Sequence, residues 1–470
     1  MKKGFWWIFT GLVLVCGCDD ETKTHGDADA DEGTTDVMQE DVGPDEDGHE
    51  EADAEEEAQD GDAGDIDEVE DIEPDELSTP TSGELLWEFH IPSGEGPIRN
   101  TLALGFQGRY ILTGGWSGGL KMFERDGSGA VLWETDPNTS SGVAASKTAD
   151  IFYAASNAPP PGHEGDPPTF LVQRFHGASS TPDWTYEAGL SGYTWAAMGS
   201  EASLVCTPDG QTLAVGCSLD GHLAILFFHP DSPTPFSTYE DAAYVNASTV
   251  RLTEDGNTCT FLAGSEIYRL DVETAAVEGS ADVDGTSYCL GVSPDGSVVV
   301  HGFQVLSVFE WDGSDYLLLW DRLYWTSTVS IALVARDNDQ IFAVMREDDD
   351  VFTTVMKFSK AAGSEPEWTY ETPHGNDLYQ DDPSWAAISD DARLLAVSTW
   401  GTENNAFPEV FVLWQGDPTG PFFTIDTMGS ALAVDITPDG HYLAALGKNV
   451  HSNVTGNGCD VYAAEILWGE

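Results

Sequence analysis

The sequence predicts an all-β chain closed into a ring of four-stranded blades, a β-propeller, and three observations carry that expectation. A tight-turn phrase between two short apolar runs returns eight times along the chain. Further strand-length segments follow each return, the last of them usually marked by Trp or an aromatic pair. An apolar segment near the start of the body is left over, while the last unit is one strand short.

The turns read "GFQGRY" (105–110), "SKTADIF" (146–152), "CTPDGQT" (206–212), "LTEDGNT" (252–258), "VSPDGSV" (292–298), "ARDNDQI" (335–341), "ISDDARL" (388–394) and "ITPDGHY" (436–442). In the fullest form Pro presets the backbone angle, Asp bonds its own backbone and Gly accepts a positive φ. Val-, Leu- and Ala-rich flanks of strand length make each phrase a hairpin. Spacings of about 40 to 60 residues are those of propeller units. Asp295, at the apex of "SPDG", is replaced in other turns by Gln107 or Gly108 and by Ala149, so the phrase marks a reversal of the chain and not a catalytic group.

A third strand is expected at 119–125, 170–176, 222–229, 266–272 and 410–416, and a fourth at 131–136, 182–188, 234–240, 316–322 and 366–372. Trp133, Trp184, Trp320 and Trp368 hold comparable places on the fourth strands and are expected to pack between blades at the outer rim. The last unit supplies 431–436, 441–446 and 459–468 and then stops, whereas "ELLWEFHI" (84–91) precedes the first complete unit. Pairing the two closes the ring and removes an open sheet edge. The expectation is eight blades, or seven if the second unit, with its insertion "NAPPPGHEGDPP" (157–168), folds differently.

Composition bounds the partners. The 470 residues carry 83 Asp and Glu against 18 Lys and Arg, a formal charge of −65, which repels phosphate backbones and makes nucleic acid an unsuitable partner. Of the acidic residues, 29 fall in 19–81 beside a single lysine and no aromatic residue, so this stretch is expected to stay a disordered tether. As a flexible coil its span would be roughly 45 Å, and more with self-repulsion. "DADADEG" fails as a calcium loop, because counting from Asp27 places Glu32 and Met38 where Gly and a bidentate Glu belong. The domain plan is therefore a signal segment 1–17, an acidic linker 18–82 and the propeller 83–470.

In "MKKGFWWIFTGLVLVCGC", Lys2 and Lys3 precede a short apolar run, Phe5 to Val15. The ending resembles a bacterial lipobox, with Gly17 before an acceptor cysteine. That resemblance implies cleavage before Cys18, lipid on its thiol and a membrane anchor at the inner or outer membrane of a bacterial envelope. The body, with "WTYE" after a third strand and "SPDG" before apolar runs, resembles PQQ-like and WD-repeat-like propellers. The resemblance implies the fold and leaves the activity open, since that group includes quinone-dependent dehydrogenases as well as assembly scaffolds.

No catalytic, cofactor-binding or metal-ligating set is readable. The adjacent cysteine pair, the haem motif Cys-x-x-Cys-His, the nucleophile elbow Gly-x-Ser-x-Gly and His-Glu-x-x-His do not occur. "REDDDV" (346–351) reads as a solvated loop. Cys206, Cys217, Cys259, Cys289 and Cys459 are odd in number; Cys206 is expected opposite Leu213 and not Cys217. Buried thiols are the reading taken, with a contact between Cys259 and Cys289 across two sheets as the alternative. The expected role is a monomeric, non-enzymatic propeller that binds a protein or polymer partner. The alternatives are an enzyme or cofactor binder using the central channel, PQQ-like quinoprotein or lactonase-like, and a purely structural or adhesive surface protein.

Overall fold

The computed structural model describes residues 79–90, 101–115, 119–135, 140–158, 169–188, 204–219, 221–244, 249–285, 289–347, 352–373, 382–401, 407–451 and 460–469. The signal segment, Cys18, the acidic stretch up to residue 78, Cys459 and most of the 157–168 insertion lie outside them. Among the described residues every strand belongs to one of eight antiparallel sheets, each of four strands. Blades 1 to 7 span 102–134, 140–188, 204–241, 249–282, 289–323, 327–371 and 383–425, with their strands in chain order. All eight turn phrases join a first to a second strand, and the second unit forms a complete blade.

Blade 8 closes the ring as expected. Its first three strands are Ala431–Ile436, Tyr442–Gly447 and Asp460–Trp468, and its fourth is the N-terminal Pro80–Phe89. The closing ladder runs antiparallel from Pro80 opposite Trp468 to Phe89 opposite Val461. It begins a few residues before the segment that the sequence suggested.

The core lies between blades. Tyr153, Phe170 and Val172 of blade 2 pack with Leu213, Val215 and Phe228 of blade 3, and each further seam repeats the arrangement. An inner or middle strand is covered on both faces, which is why "LAVGC", "VVVHG" and "IFAVM" read as continuous apolar runs. Fourth strands sit at the rim, and "WTYE" (184–187) and "STYED" alternate between half-buried and exposed residues.

The rim tryptophans do more than pack. Three of the indole N–H groups donate to a backbone carbonyl just past the third strand of the next blade: Trp133 to Gly177 (2.8 Å), Trp184 to Pro230 (2.8 Å) and Trp320 to Lys360 (3.2 Å). Trp87 on the closing strand does the same across the last seam, to Arg125 at 2.6 Å. The indole therefore contributes buried apolar area and satisfies a carbonyl that would otherwise be left at the seam.

Replacing Trp133, which is buried and stacks on Phe175 at 5.5 Å, separates the two contributions. Trp133→Phe keeps most of the ring and loses the hydrogen bond, so it should cost about 1 kcal/mol in equilibrium unfolding. Trp133→Ala should cost about 3–5 kcal/mol. Equal costs for the two would mean that the indole N–H carries the whole effect.

Candidate functional site

Five of the eight turns share one hydrogen-bond pattern, and it fixes what their Asp does. In blade 5, Asp295 Oδ1 accepts from the Ser293 hydroxyl (2.8 Å) and the Ser297 N–H (2.9 Å), while the Ser293 oxygen accepts from Val298 N–H (2.9 Å). Thr207 with Asp209, Thr253 with Asp255, Ser389 with Asp391 and Thr437 with Asp439 repeat it. Gly210, Gly256, Gly296 and Gly440 then turn the chain at φ of 71° to 73°. The Thr253 hydroxyl holds the Asp255 carboxyl below its ordinary range. These carboxylates are spent on the hairpins, in agreement with the sequence reading of Asp295.

The residue after the hydroxyl position is where chemistry can collect. Backbone bonds link neighbouring turns there: Lys147 N–H to Pro208 O (2.7 Å), Glu254 N–H to Pro294 O (2.8 Å) and Asp390 N–H to Pro438 O (2.8 Å). Side chains at this position consequently meet around the inner edge of one face. Arg336 of blade 6 bridges Glu254 of blade 4 and Asp390 of blade 7. Lys147 of blade 2 reaches Asp435 of blade 8 at 2.7 Å and the Leu104 carbonyl at 3.1 Å, and Asp435 also accepts the Leu104 N–H. Two ion pairs thus span non-adjacent blades, and being partly exposed they contribute orientation more than stability.

Beside Lys147 lies a depression of about 700 Å³ between the turns of blades 8, 1 and 2. Three basic side chains line it. Arg125 lies 3.6 Å above the Tyr442 ring and is bonded to Asp126, whose carboxyl the guanidinium holds below its ordinary range. Arg109 pairs with Glu124 at 3.1 Å, and Lys147 completes the set. Its wall is the one turn without a hydroxyl or Asp. Phe106, Gln107 and Gly108 there take consecutive φ of 51°, 57° and 75°, held by Phe106 N–H to Ser146 O (2.9 Å) and Gln107 N–H to Lys147 O (2.7 Å). Left-handed Phe and Gln cost about 1–3 kcal/mol each, and neighbouring blades must impose them. Trp87, which closes the ring, donates to the carbonyl of Arg125, so the pocket wall and the closure share one residue.

The first strands run along the ring's inner edge. Two residues before each turn they carry Ala103, Ala144, Val205, Arg251, Gly291, Leu333, Ala387 and Asp435, small or apolar at six of eight places. At the face opposite the turns, the fully buried Glu409 accepts from the Thr427 N–H (2.9 Å) and hydroxyl (3.1 Å) and faces His451 at 3.2 Å. His90 faces Asp460 at 3.2 Å. Among the described residues no group of three or more His, Cys, Asp or Glu is placed to hold a metal ion. Of "REDDDV", only Arg346, which pairs with Asp382 at 2.9 Å, and Glu347 are described.

Cys206 lies opposite Leu213, as counted from the turn. Cys206, Cys217 and Cys259 are thiols, and burial pushes that of Cys217 up to about 12, which removes its nucleophilicity at neutral pH. The contact weighed between Cys259 and Cys289 does not form. Cys259 packs in the seam between blades 3 and 4, and Cys289 in the seam between blades 5 and 6, so they face opposite ways.

His301, on the second strand of blade 5, is a residue sequence reasoning passed over. It is fully buried, and neither ring nitrogen has a hydrogen-bond partner among the described residues. Burial lowers its pKa to about 4, against a smaller opposing pull from Asp284. The native state holds it neutral while the unfolded chain binds a proton near pH 6.5, so stability falls as pH drops from 6.5 towards 4. At pH 4 its share is about 3 kcal/mol. His301→Leu should flatten the stability profile in that window in urea titrations between pH 4 and 7. An unchanged slope would place the acid sensitivity elsewhere.

No protein-family model matches the chain, and no curated protein matches it. Solved structures do, 1531 chains among them. The chain is similar to the crystal structure of the C-terminal WD40 domain of Sif2, with a TM-score of 0.56 at 9% identity, over 82% of this chain and 99% of that one. At that identity the likeness shows the fold alone, which is a WD40-like β-propeller.

Proposed function

We propose that the protein is a lipid-anchored component of a bacterial cell envelope whose propeller holds a protein or polymer partner without transforming it. The observation that carries the reading is the pocket on the turn face. With 29 of the 83 acidic residues in 19–81, the body keeps 54 against 15 basic ones, and three of those 15 converge on this one depression. A rigid wall built from three blades, carrying paired Arg and Lys next to Tyr442 and Phe106, suits a segment that presents carboxylates or carbonyls beside an apolar group. The mostly apolar inner strands favour a scaffold over chemistry in the channel. Propellers of this fold commonly serve as protein-interaction scaffolds. Cys18, following Gly17, is the residue assigned to carry lipid, and 19–81 is the tether that lets the propeller stand clear of the membrane.

Two measurements test it. Labelled palmitate should enter the wild-type chain and not Cys18→Ala, which should leave the membrane fraction; unlabelled wild type would sink the anchor. Arg109 is half-exposed and its guanidinium bonds, among the described residues, only to Glu124 of its own blade, so Arg109→Glu should fold normally. In quantitative pull-downs from envelope extracts, a stoichiometric partner should be retained by wild type and weakened about tenfold or more by Arg109→Glu, since about 1.4 kcal/mol is one decade. Undiminished capture would remove the pocket from the account. A co-purified quinone or metal that supports turnover would overturn the scaffold reading.

A further inference from the structure

The outer edge of blade 5 departs from every other rim. Its fourth strand, Tyr316–Leu323, exposes Leu317, Leu318, Leu319 and Leu323 to between 41% and 52%, and Trp325 just beyond it is 84% exposed. The other fourth strands show at most two large exposed apolar residues, such as Leu85 and Leu86 in blade 8. Side-chain direction follows from the register. Leu318 pairs with Phe309, which packs towards blade 4, where Val277 on the neighbouring fourth strand is also exposed. Trp320 and Arg322 point the other way and are occupied, donating to the Lys360 and Ser364 carbonyls of blade 6. A bulge leaves Leu319 unpaired between Leu318 and Trp320, so the edge offers its most regular ladder from Trp320 to Leu323.

We propose that this edge docks an extended peptide strand of a partner, apolar at alternate positions and flanked by Lys or Arg. As the last strand of its sheet, it has one side free for main-chain hydrogen bonding, and the leucines flank that side. Charge selects the occupant. The surrounding body carries 54 acidic against 15 basic residues, and Asp321 is exposed in the middle of the strand, so basic flanks are attracted. A second copy brings the same excess of negative charge and is repelled. Trp325 and the leucines supply the apolar anchor, as expected of an interface centre.

The test uses the full-length chain and three labelled peptides. One has an alternating Val/Thr core between Lys pairs, one has the same core between Glu pairs, and one keeps the Lys pairs but has Pro at the core's centre. Fluorescence anisotropy should show saturable binding of the first, at least about tenfold weaker binding of the other two, and a similar loss with Leu318→Ser/Leu323→Ser. Losing the apolar contact of two half-covered leucines accounts for a loss of that size. Both positions are solvent-exposed, so an unchanged urea midpoint will confirm that the variant folds. Equal binding of the Pro peptide, or by the Ser variant, would show attraction to acidic surface only and overturn the proposal. So would no binding at all, or concentration-dependent self-association abolished by the Ser substitutions, which would make the occupant a second copy.

Discussion

The ladder between Pro80–Phe89 and Asp460–Trp468 decides whether the other seven blades form a ring or an open stack. It joins parts of the chain as distant as Thr81 and Leu467, 386 residues apart, which share a hydrogen bond. Every other blade is built from contiguous sequence and can pair its strands locally. The eighth cannot, and until it closes, one edge of its third strand and the seam facing blade 1 stay open to water. Closure is therefore the step with the largest loop entropy, and it removes both exposed surfaces together. Trp87 extends the same interaction to the turn face, since its indole donates to the carbonyl of Arg125, which lines the pocket there.

A second constraint acts at five of the eight turns. There hydroxyl and Asp satisfy the backbone groups of a tight reversal, a left-handed residue, Gly in four of the five, turns the chain, and the intervening position is free to vary. Pro occupies it in blades 3, 5 and 8, whereas Lys147, Glu254, Arg336 and Asp390 occupy it elsewhere. Because the turns are linked through their backbones, a substitution at that position alters the face without altering the ring. Blade 1 shows the opposite case. Lacking the hydroxyl and Asp, its turn adopts left-handed Phe106 and Gln107 and leans on blade 2.

What the sequence made legible was local. The hairpins, the rim position of the tryptophans, the pairing of Cys206 with Leu213 and the missing strand of the last unit all follow from patterns within a few tens of residues. The pocket did not, because Arg109, Arg125, Lys147 and Tyr442 come from three blades and neighbour one another only once the ring closes. A partial signal existed: aligning the turns of blades 2 to 8 places Lys147 in one column with Glu254, Arg336 and Asp390, the charged positions of the inner edge, but leaves Arg109, Arg125 and Tyr442 unmarked. His301 carried no such mark, since one His in "VVVHG" reads as a strand residue and its missing partners are a property of packing. The weighed contact between Cys259 and Cys289 failed for a related reason, as nothing in the spacing says which seam each side chain enters.

Truncation measures closure most directly. A chain beginning at residue 79 keeps the closing strand, and one beginning at residue 91 lacks it. The first should unfold in urea as one cooperative transition, with the midpoint of the full-length protein. The second should lose several kcal/mol, expose the Asp460–Trp468 edge and associate through it, because an unpaired apolar strand edge seeks a partner. Identical midpoints and a monomeric state for the two truncated chains would contradict the claim that this ladder holds the ring.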